Sequence, residues 1–331
     1  MWFHANAPFL GRRVVAGVAL PPTLTLPPRS SLLVVGPTQV GKTSSLVVPA
    51  ILRWRGPVVV TSVKRDVVDV TQAWRAALGH TQTIDPATDD GQTWDPLEGV
   101  TTLRRGLAAA RELILTSKER ASAESEFWNA LAVKNLGALF AAAVTLQLSI
   151  FELRSFIERR QFDSLRSGDL PRDVDDAIGA LQNMEQRTQD SVCATMEAML
   201  LPWQVRQPLA RVVDVLEGEN TLYLCAPRSD HRHYEGLFRG ALRVVIDEQE
   251  RRAGSGKAPP LLIVLDEAAS IAPMDDLDQL AATVSGLNVT LVTVFQDFAQ
   301  IRARWGDKAA TVVNNHTTRV VFGGLVDPLV Q

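Results

Sequence analysis

Two hydrophobic rhythms alternate along this chain. Strand-like runs occur at LLVVG (32–36), PVVVTS (57–62) and HTQTID (80–85). Between them lie the helical patterns SSLVVPAILRW (44–54) and DVVDVTQAWRAAL (66–78). Strand–helix alternation with Val-rich strands predicts an α/β layer built on a mainly parallel sheet with helices on both faces. From about residue 101 the period becomes helical almost throughout. TTLRRGLAAARELILTSKER, ESEFWNALAVKNLGALFAAAV, SIFELRSFIERR and RTQDSVCATMEAMLLPW follow one another, with DLPRD (169–173) and LPWQVRQP (201–208) as breaks. In the last, Val192, Met196, Met199, Leu200 and Trp203 fall on one helical face. Strand signals resume at NTLYLCAP (220–227), LLIVLDEA (261–268), VTLVTVFQ (289–296) and TRVVFGG (318–324), with a helix over 235–252 and the linker AGSGKAPP at 253–260.

The expected organisation is therefore an N-terminal lead-in (1–30), a first α/β half (31–105), an inserted all-α domain (106–210) and a second α/β half (211–331). Prolines in PPTLTLPP (21–28) suit an extended or edge-strand lead-in rather than a helix.

Composition narrows the classes. The content of 46% hydrophobic and 21% charged residues is that of a globular chain. A formal charge of −3 argues against a basic DNA-coating protein, but leaves open a narrow basic channel within an assembly. Two cysteines, Cys193 and Cys225, without CxxC spacing make a disulfide framework or a cysteine metal site a poor fit, so a reducing compartment is expected. The longest apolar stretch, LGALFAAAVTLQLSIF (136–151), falls short of the roughly 18–20 residues of a span and reads as a buried helix. The N-terminus lacks a signal-peptide layout.

The chemistry concentrates in a few places. Gly36-Pro37-Thr38-Gln39-Val40-Gly41-Lys42-Thr43 fits G-x-x-x-x-G-K-[ST], between a strand and a helix that opens with Ser44. Glycines let backbone N–H groups curl around phosphate oxygens, and the helix aims its positive end at them. Lys42 would reach the β- and γ-phosphates of ATP, and Thr43 would bind Mg²⁺. LLIVLDEA ends in two carboxylates. Asp266 would hold Mg²⁺ or its water, and Glu267 either polarises the attacking water or caps a following helix. Gln296 closes another strand, as a sensor of the γ-phosphate or as a residue making ordinary loop contacts.

Weaker signals are His231 and His233, which lack a metal-binding cluster, and the Arg159–Arg160 and Arg251–Arg252 pairs, read as solvated helix ends. RARWGDK (302–308) reads as a helix terminus or a nucleic-acid backbone contact. SVKRD (62–66) puts Lys64 and Asp66 on the sheet edge of the phosphate turn, for a role at the nucleotide or a local salt bridge.

Taken in order, GPTQVGKTSSLVVPAIL, VVVTSVKRDVVDVT, IDP…WDPL, EFWNALA, LDEAASIAP and FQDFAQIRARWG resemble the TraG-like coupling ATPases of conjugation and type IV secretion, over roughly residues 30–325. The resemblance implies a RecA-like P-loop NTPase with an inserted all-α domain. It also implies a homo-hexamer (or a monomer when isolated) at the cytosolic face of the inner membrane, hydrolysing ATP with Mg²⁺. By position, Lys42, Thr43, Asp266, Glu267 and Gln296 match the family's phosphate, magnesium, hydrolysis and sensor residues. The all-α domain would recruit a relaxase–DNA complex or secreted proteins, single-stranded DNA would pass through the ring, and the secretion channel would receive the cargo.

Three departures stand out. The membrane-spanning helices that usually begin the family are not seen, so the chain is read as the cytosolic part or an anchorless variant. It stops soon after TRVVFGG. Ser285 occupies the position where many members carry an arginine that acts on the neighbour's ATP, leaving Arg302, Arg304 and Arg319 as substitutes to test. The competing readings are a nucleotide-binding docking adaptor with little turnover and an FtsK- or HerA-like DNA pump.

Overall fold

The computed structural model describes residues 8–15, 18–63, 65–88, 91–114, 123–227 and 231–323. In chain order the strands are β1 (Phe9–Val15), β2 (Val18–Thr25), β3 (Ser31–Val35), β4 (Val58–Ser62), β5 (Thr81–Ile84), β6 (Thr93–Trp94), β7 (Leu209–Ala210), β8 (Thr221–Cys225), β9 (Leu261–Leu265), β10 (Val289–Phe295) and β11 (Thr318–Val321). The α-helices are α1 (Val48–Arg53), α2 (Asp66–Ala76), α3 (Leu103–Glu112), α4 (Ala123–Thr145), α5 (Ile150–Glu158) and α6 (Arg172–Gln182). They continue with α7 (Gln186–Met199), α8 (His231–Gly254), α9 (Leu277–Thr283), α10 (Phe298–Trp305) and α11 (Ala309–Asn315).

Two compact units result. One comprises Met1–Ala87, Val212–His231 and Val245–Gln331; the other comprises Thr88–Arg211 and Arg232–Val244. Against the expected insertion of 106–210, the second unit thus begins earlier, at Thr88, and takes in part of α8.

The first unit is built on a seven-stranded sheet of order β11-β3-β10-β9-β4-β8-β5, parallel at every pairing. Its strands β3, β4, β8, β9 and β10 are buried at every position, which is why they read as unbroken apolar runs rather than alternating ones. One face packs Leu46, Ile51, Trp54, Val67 and Val68 against Val60, Val264 and Val294. Each buried methylene there contributes about 0.8 kcal/mol. Arg75 of α2 is wholly buried in this unit. Its guanidinium donates to the carbonyls of Trp54, Gly56 and Glu219 (2.8 Å each) and to the Thr221 hydroxyl (2.7 Å). A separate antiparallel strand pair, β1–β2, occupies the lead-in, where the prolines suit an extended or edge-strand segment.

Among the described residues, the second unit is helical apart from the two-residue parallel pair β6–β7. Helices α3 and α4 meet backbone to backbone: a Cβ on Gly106 would lie 2.1 Å from the Gly137 carbonyl oxygen, so the crossing requires glycine. The WDPL segment serves this core. Trp94 donates its indole N–H to the Leu237 carbonyl (2.9 Å) and stands edge-on to Trp203, whose own N–H reaches the Trp94 carbonyl (2.8 Å). Burying an indole is favourable only where its N–H finds such a partner.

The apolar stretch 136–151 spans two helices, in line with the separate helical patterns that end at Val144 and start at Ser149. Helix α4 stops at Thr145, and Ser149 with Glu152 forms a capping box that starts α5. Among the described residues α4 is long and apolar enough to cross a membrane, where the sequence reading saw no such segment; 61% of its apolar window is buried.

Candidate functional site

The carboxyl ends of β3, β10 and β9, adjacent in the sheet, carry the phosphate turn, Gln296 and the Asp266–Glu267 pair. The turn leaves β3 at Gly36, whose N–H donates to the Phe295 carbonyl at the end of β10 (3.2 Å). A Cβ on Gly36 would lie 2.6 Å from that of Phe322, so no larger residue fits. Gln39 and Gly41 take left-handed backbone (φ +65° and +87°), which folds Pro37, Thr38 and Val40 into a tight loop. Thr43–Val47 is then a π-turn that continues into α1. Pro49, without an N–H to give to residue 45, sits at the junction. Lys42 heads this turn without a side-chain cap, so its first N–H groups face the loop. Ser44 turns back to the Gly41 carbonyl (3.2 Å).

Lys42 Nζ donates to the carbonyls of Gly36 and Pro37, the latter at 2.6 Å. Burial pulls its pKa down, while Asp266 and Glu267 oppose that shift. The Thr43 hydroxyl donates to Asp266 Oδ2 at 3.4 Å. Asp266 is buried, and burial, then the charges of Glu267 and Asp66, push its pKa up to about 6. A hydroxyl beside an under-neutralised carboxylate is the hard-oxygen pair that suits a small divalent cation such as Mg²⁺.

Glu267 is held at φ +54°, a left-handed conformation that costs a non-glycine residue of order 1 kcal/mol or more. The residues after it form turns, and the next helix begins only at Leu277. The helix-cap reading therefore fails. Its carboxylate instead accepts from the Gln296 side-chain amide (3.1 Å), and Gln300 steadies Gln296 by accepting its backbone N–H (3.1 Å).

Other candidates separate clearly. Asp66 opens α2, takes the Val67 N–H (2.9 Å) and lies close enough to raise Asp266, whereas Arg65 is paired with the buried Asp85 (2.7 Å). Lys64 and the side chain of His231 lie outside the described residues. His233 is exposed, and no metal-binding group of His, Cys, Asp or Glu forms among the described residues. The arginine pairs are not simply solvated: Arg160 bridges to Glu197, and Arg251 and Arg252 bridge to Glu248. In RARWGDK, Trp305 is buried with its N–H on the Met274 carbonyl (2.9 Å), so it is not a stacking surface for bases. Ser285 is exposed in the turn before β10, and Arg319 is exposed on the edge strand β11. Two contacts near these residues carry no prediction from the sequence. One is the Arg65–Asp85 pair, for which no local signal exists. The other is the hold of Gln300 on Gln296, whose i, i+4 spacing was visible as Q-x-x-x-Q.

The profile of the family described as Type IV secretory system Conjugative DNA transfer matches residues 23–328. The chain is similar to the conjugal transfer protein TraG of Rhizobium radiobacter, with 22% identity over 82% of the chain and 46% of the relative. It therefore spans about half the length of the curated relatives it matches. In fold it resembles the bacterial conjugative coupling protein TrwBdeltaN70 in its unbound form (TM-score 0.67, 16% identity, 93% of this chain and 71% of that one). It resembles equally the plasmid coupling protein TrwB in complex with ADP and Mg²⁺ (TM-score 0.67, 16% identity, 93% and 73%). The RecA-like α/β fold expected from the sequence is the fold observed.

Proposed function

The chain belongs to the type IV secretory system conjugative DNA transfer family, and from that premise we propose that it is an ATP-hydrolysing coupling protein. It binds ATP with Mg²⁺ and uses hydrolysis to drive a relaxase–DNA complex or protein substrates into a secretion channel. The observation that carries this reading is the convergence of Lys42, Thr43, Asp266, Glu267 and Gln296 at three adjacent strand ends. The similarity to TrwB, solved with ADP and Mg²⁺, supports the same ligands here.

In this reading Lys42 leaves the Gly36 and Pro37 carbonyls for the β- and γ-phosphates, which also take the loop and first-turn N–H groups. Thr43 and Asp266 would hold Mg²⁺, which would supply positive charge against the phosphate oxygens. Glu267 accepts a proton from the water that attacks the γ-phosphorus, and ADP and phosphate leave. Gln296 orients Glu267 and, through Gln300, ties its state to α10. The all-α unit recruits cargo, copies form a hexameric ring that threads single-stranded DNA, and the assembly works at the cytosolic face of the inner membrane.

The test is ATP turnover at high protein concentration, with and without single-stranded DNA. Glu267→Gln should lose about 10²–10⁴ in turnover while still binding nucleotide. Lys42→Ala should lose both. A chain that binds ATP, forms rings and never turns over would instead be the docking adaptor, the reading that Ser285 favours.

A further inference from the structure

An apolar cleft of about 430 Å³ opens between α10 and α11, walled by Phe298, Ile301, Ala309, Ala310 and Val313, with Arg302 at its side. That volume falls in the range of sites that bury whole ligands, about 300–1,000 Å³. Elsewhere in the same unit α2 presents the converse shape. Val70 and Trp74, one helical turn apart, are 60% and 49% exposed, and Ala73 and Ala77 beside them are exposed too. Trp74 is fixed in place, its indole N–H donating to the Leu52 carbonyl at 2.9 Å. A large aromatic already held in one pose loses little freedom when it docks, the usual character of an interface anchor.

We infer that the α2 knob of one copy seats in the α10–α11 cleft of the next copy, making a head-to-tail contact between identical chains. Charge fits this pairing. The exposed face of α2 begins with Asp66 and Asp69, while Arg302 and Lys308 outnumber Asp307 beside the cleft. Topology fits as well. Helix α2 leads into β5, one edge of the sheet, and α11 leads into β11, the other edge, so the two surfaces do not compete within one copy. Different patches meeting head to tail give a heterologous interface, which closes into a ring when its rotation allows. The contact also sets the cleft helix α10, which Gln300 links to Gln296, against the helix whose first residue is Asp66 beside Asp266. The inference deepens the motor reading and rests on it for the identity of the partner.

Mixed Ala73→Cys and Ala310→Cys chains, treated with a short bismaleimide, provide the test. Native Cys193 and Cys225 are buried, with thiols pushed up to about 11 and 12, and stay silent. The mixture should yield a 73–310 cross-link that neither variant forms alone. Adding Trp74→Asp to the Ala73→Cys chain should weaken the contact about tenfold or more. No 73–310 product up to the solubility limit, a 73–73 product, or indifference to Trp74→Asp would overturn the surface. So would blockage of the cleft by an apolar small molecule that leaves self-association intact. Nucleotide binding and turnover on the same samples keep the two readings apart. Turnover without the cross-link sinks only these surfaces, and a cross-linked ring without turnover sinks only the motor.

Discussion

The carboxyl edge of the sheet and the flanks of the same unit treat buried charge in opposite ways. Away from the edge, Arg75 and His316 are buried with partners: Arg75 spends its guanidinium on three carbonyls and a hydroxyl. His316 lies between the Val312 carbonyl (2.6 Å) and the Thr293 hydroxyl (2.9 Å). At the edge, Asp266 is buried with one long hydrogen bond to Thr43 and two acidic neighbours, and Glu267 is held in strained backbone. A buried polar group with its full set of partners specifies structure. One left short is stabilised by what binds it. The unit thus separates residues that hold the fold from residues reserved for a ligand, and substitutions at the two places should move stability in opposite directions.

The largest stability effect belongs to Arg75. Arg75→Met keeps the aliphatic stem but strands the carbonyls of Trp54, Gly56 and Glu219 in the core. Stability should fall by about 3–5 kcal/mol, read as a lower urea midpoint. A loss below about 1 kcal/mol would mean that the buried network is ornamental and would erase the contrast with Asp266.

His316 comes next, and it predicts a pH window. Burial, with Arg319 adding to it, lowers its pKa to about 4, so the folded ring is neutral, donating from Nδ1 to Val312 and accepting at Nε2 from Thr293. The unfolded chain takes up that proton near pH 6.5, while the folded chain resists until about 4. The stabilisation is therefore complete above pH 6.5 and drains away as pH falls toward 4, by about 3 kcal/mol. His316→Gln should flatten this part of the stability profile, with urea midpoints at pH 7, 5.5 and 4.5 as the measurement. A profile of unchanged slope would remove His316 from the well-partnered group.

What the sequence made legible follows the same division. Parallel strands buried on both faces leave unbroken apolar runs, so β3, β4, β8, β9 and β10 were readable from composition alone. Helix α6 was not, because Pro171 and the acids after it read as a break. In the fold Pro171 is the N-cap, and Asp173 and Asp175 occupy the first turn, where acids favour a helix start. The two-residue pair β6–β7 has no pattern long enough to see. At the edge, the glycine turn and the LDEA strand end were visible because their spacing is local chemistry. The left-handed Glu267 and the burial of Trp305 were not, since both are decided by neighbours distant in sequence.

Asp266 gives the smallest and most diagnostic effect, because its sign is reversed. Its folded pKa, pushed up to about 6, lies above the ordinary carboxylate value of 3.8, so between these limits the folded chain holds a proton that the unfolded chain has released. Stability contributed by this group therefore declines as pH rises from about 4 through 6, and the full cost of the buried charge is present at pH 7. Asp266→Asn removes that cost and the repulsion from Glu267 and Asp66, but surrenders the charge opposite Thr43 and Lys42. The variant should be more stable than the native chain by about 1–2 kcal/mol at pH 7, with the difference vanishing near pH 4. In the same protein Mg²⁺-dependent retention of ATP should be lost. If Asp266→Asn instead destabilises the unit at pH 7, as Arg75→Met does, then Asp266 belongs with the residues that hold the fold, and the carboxyl edge is not reserved for a ligand.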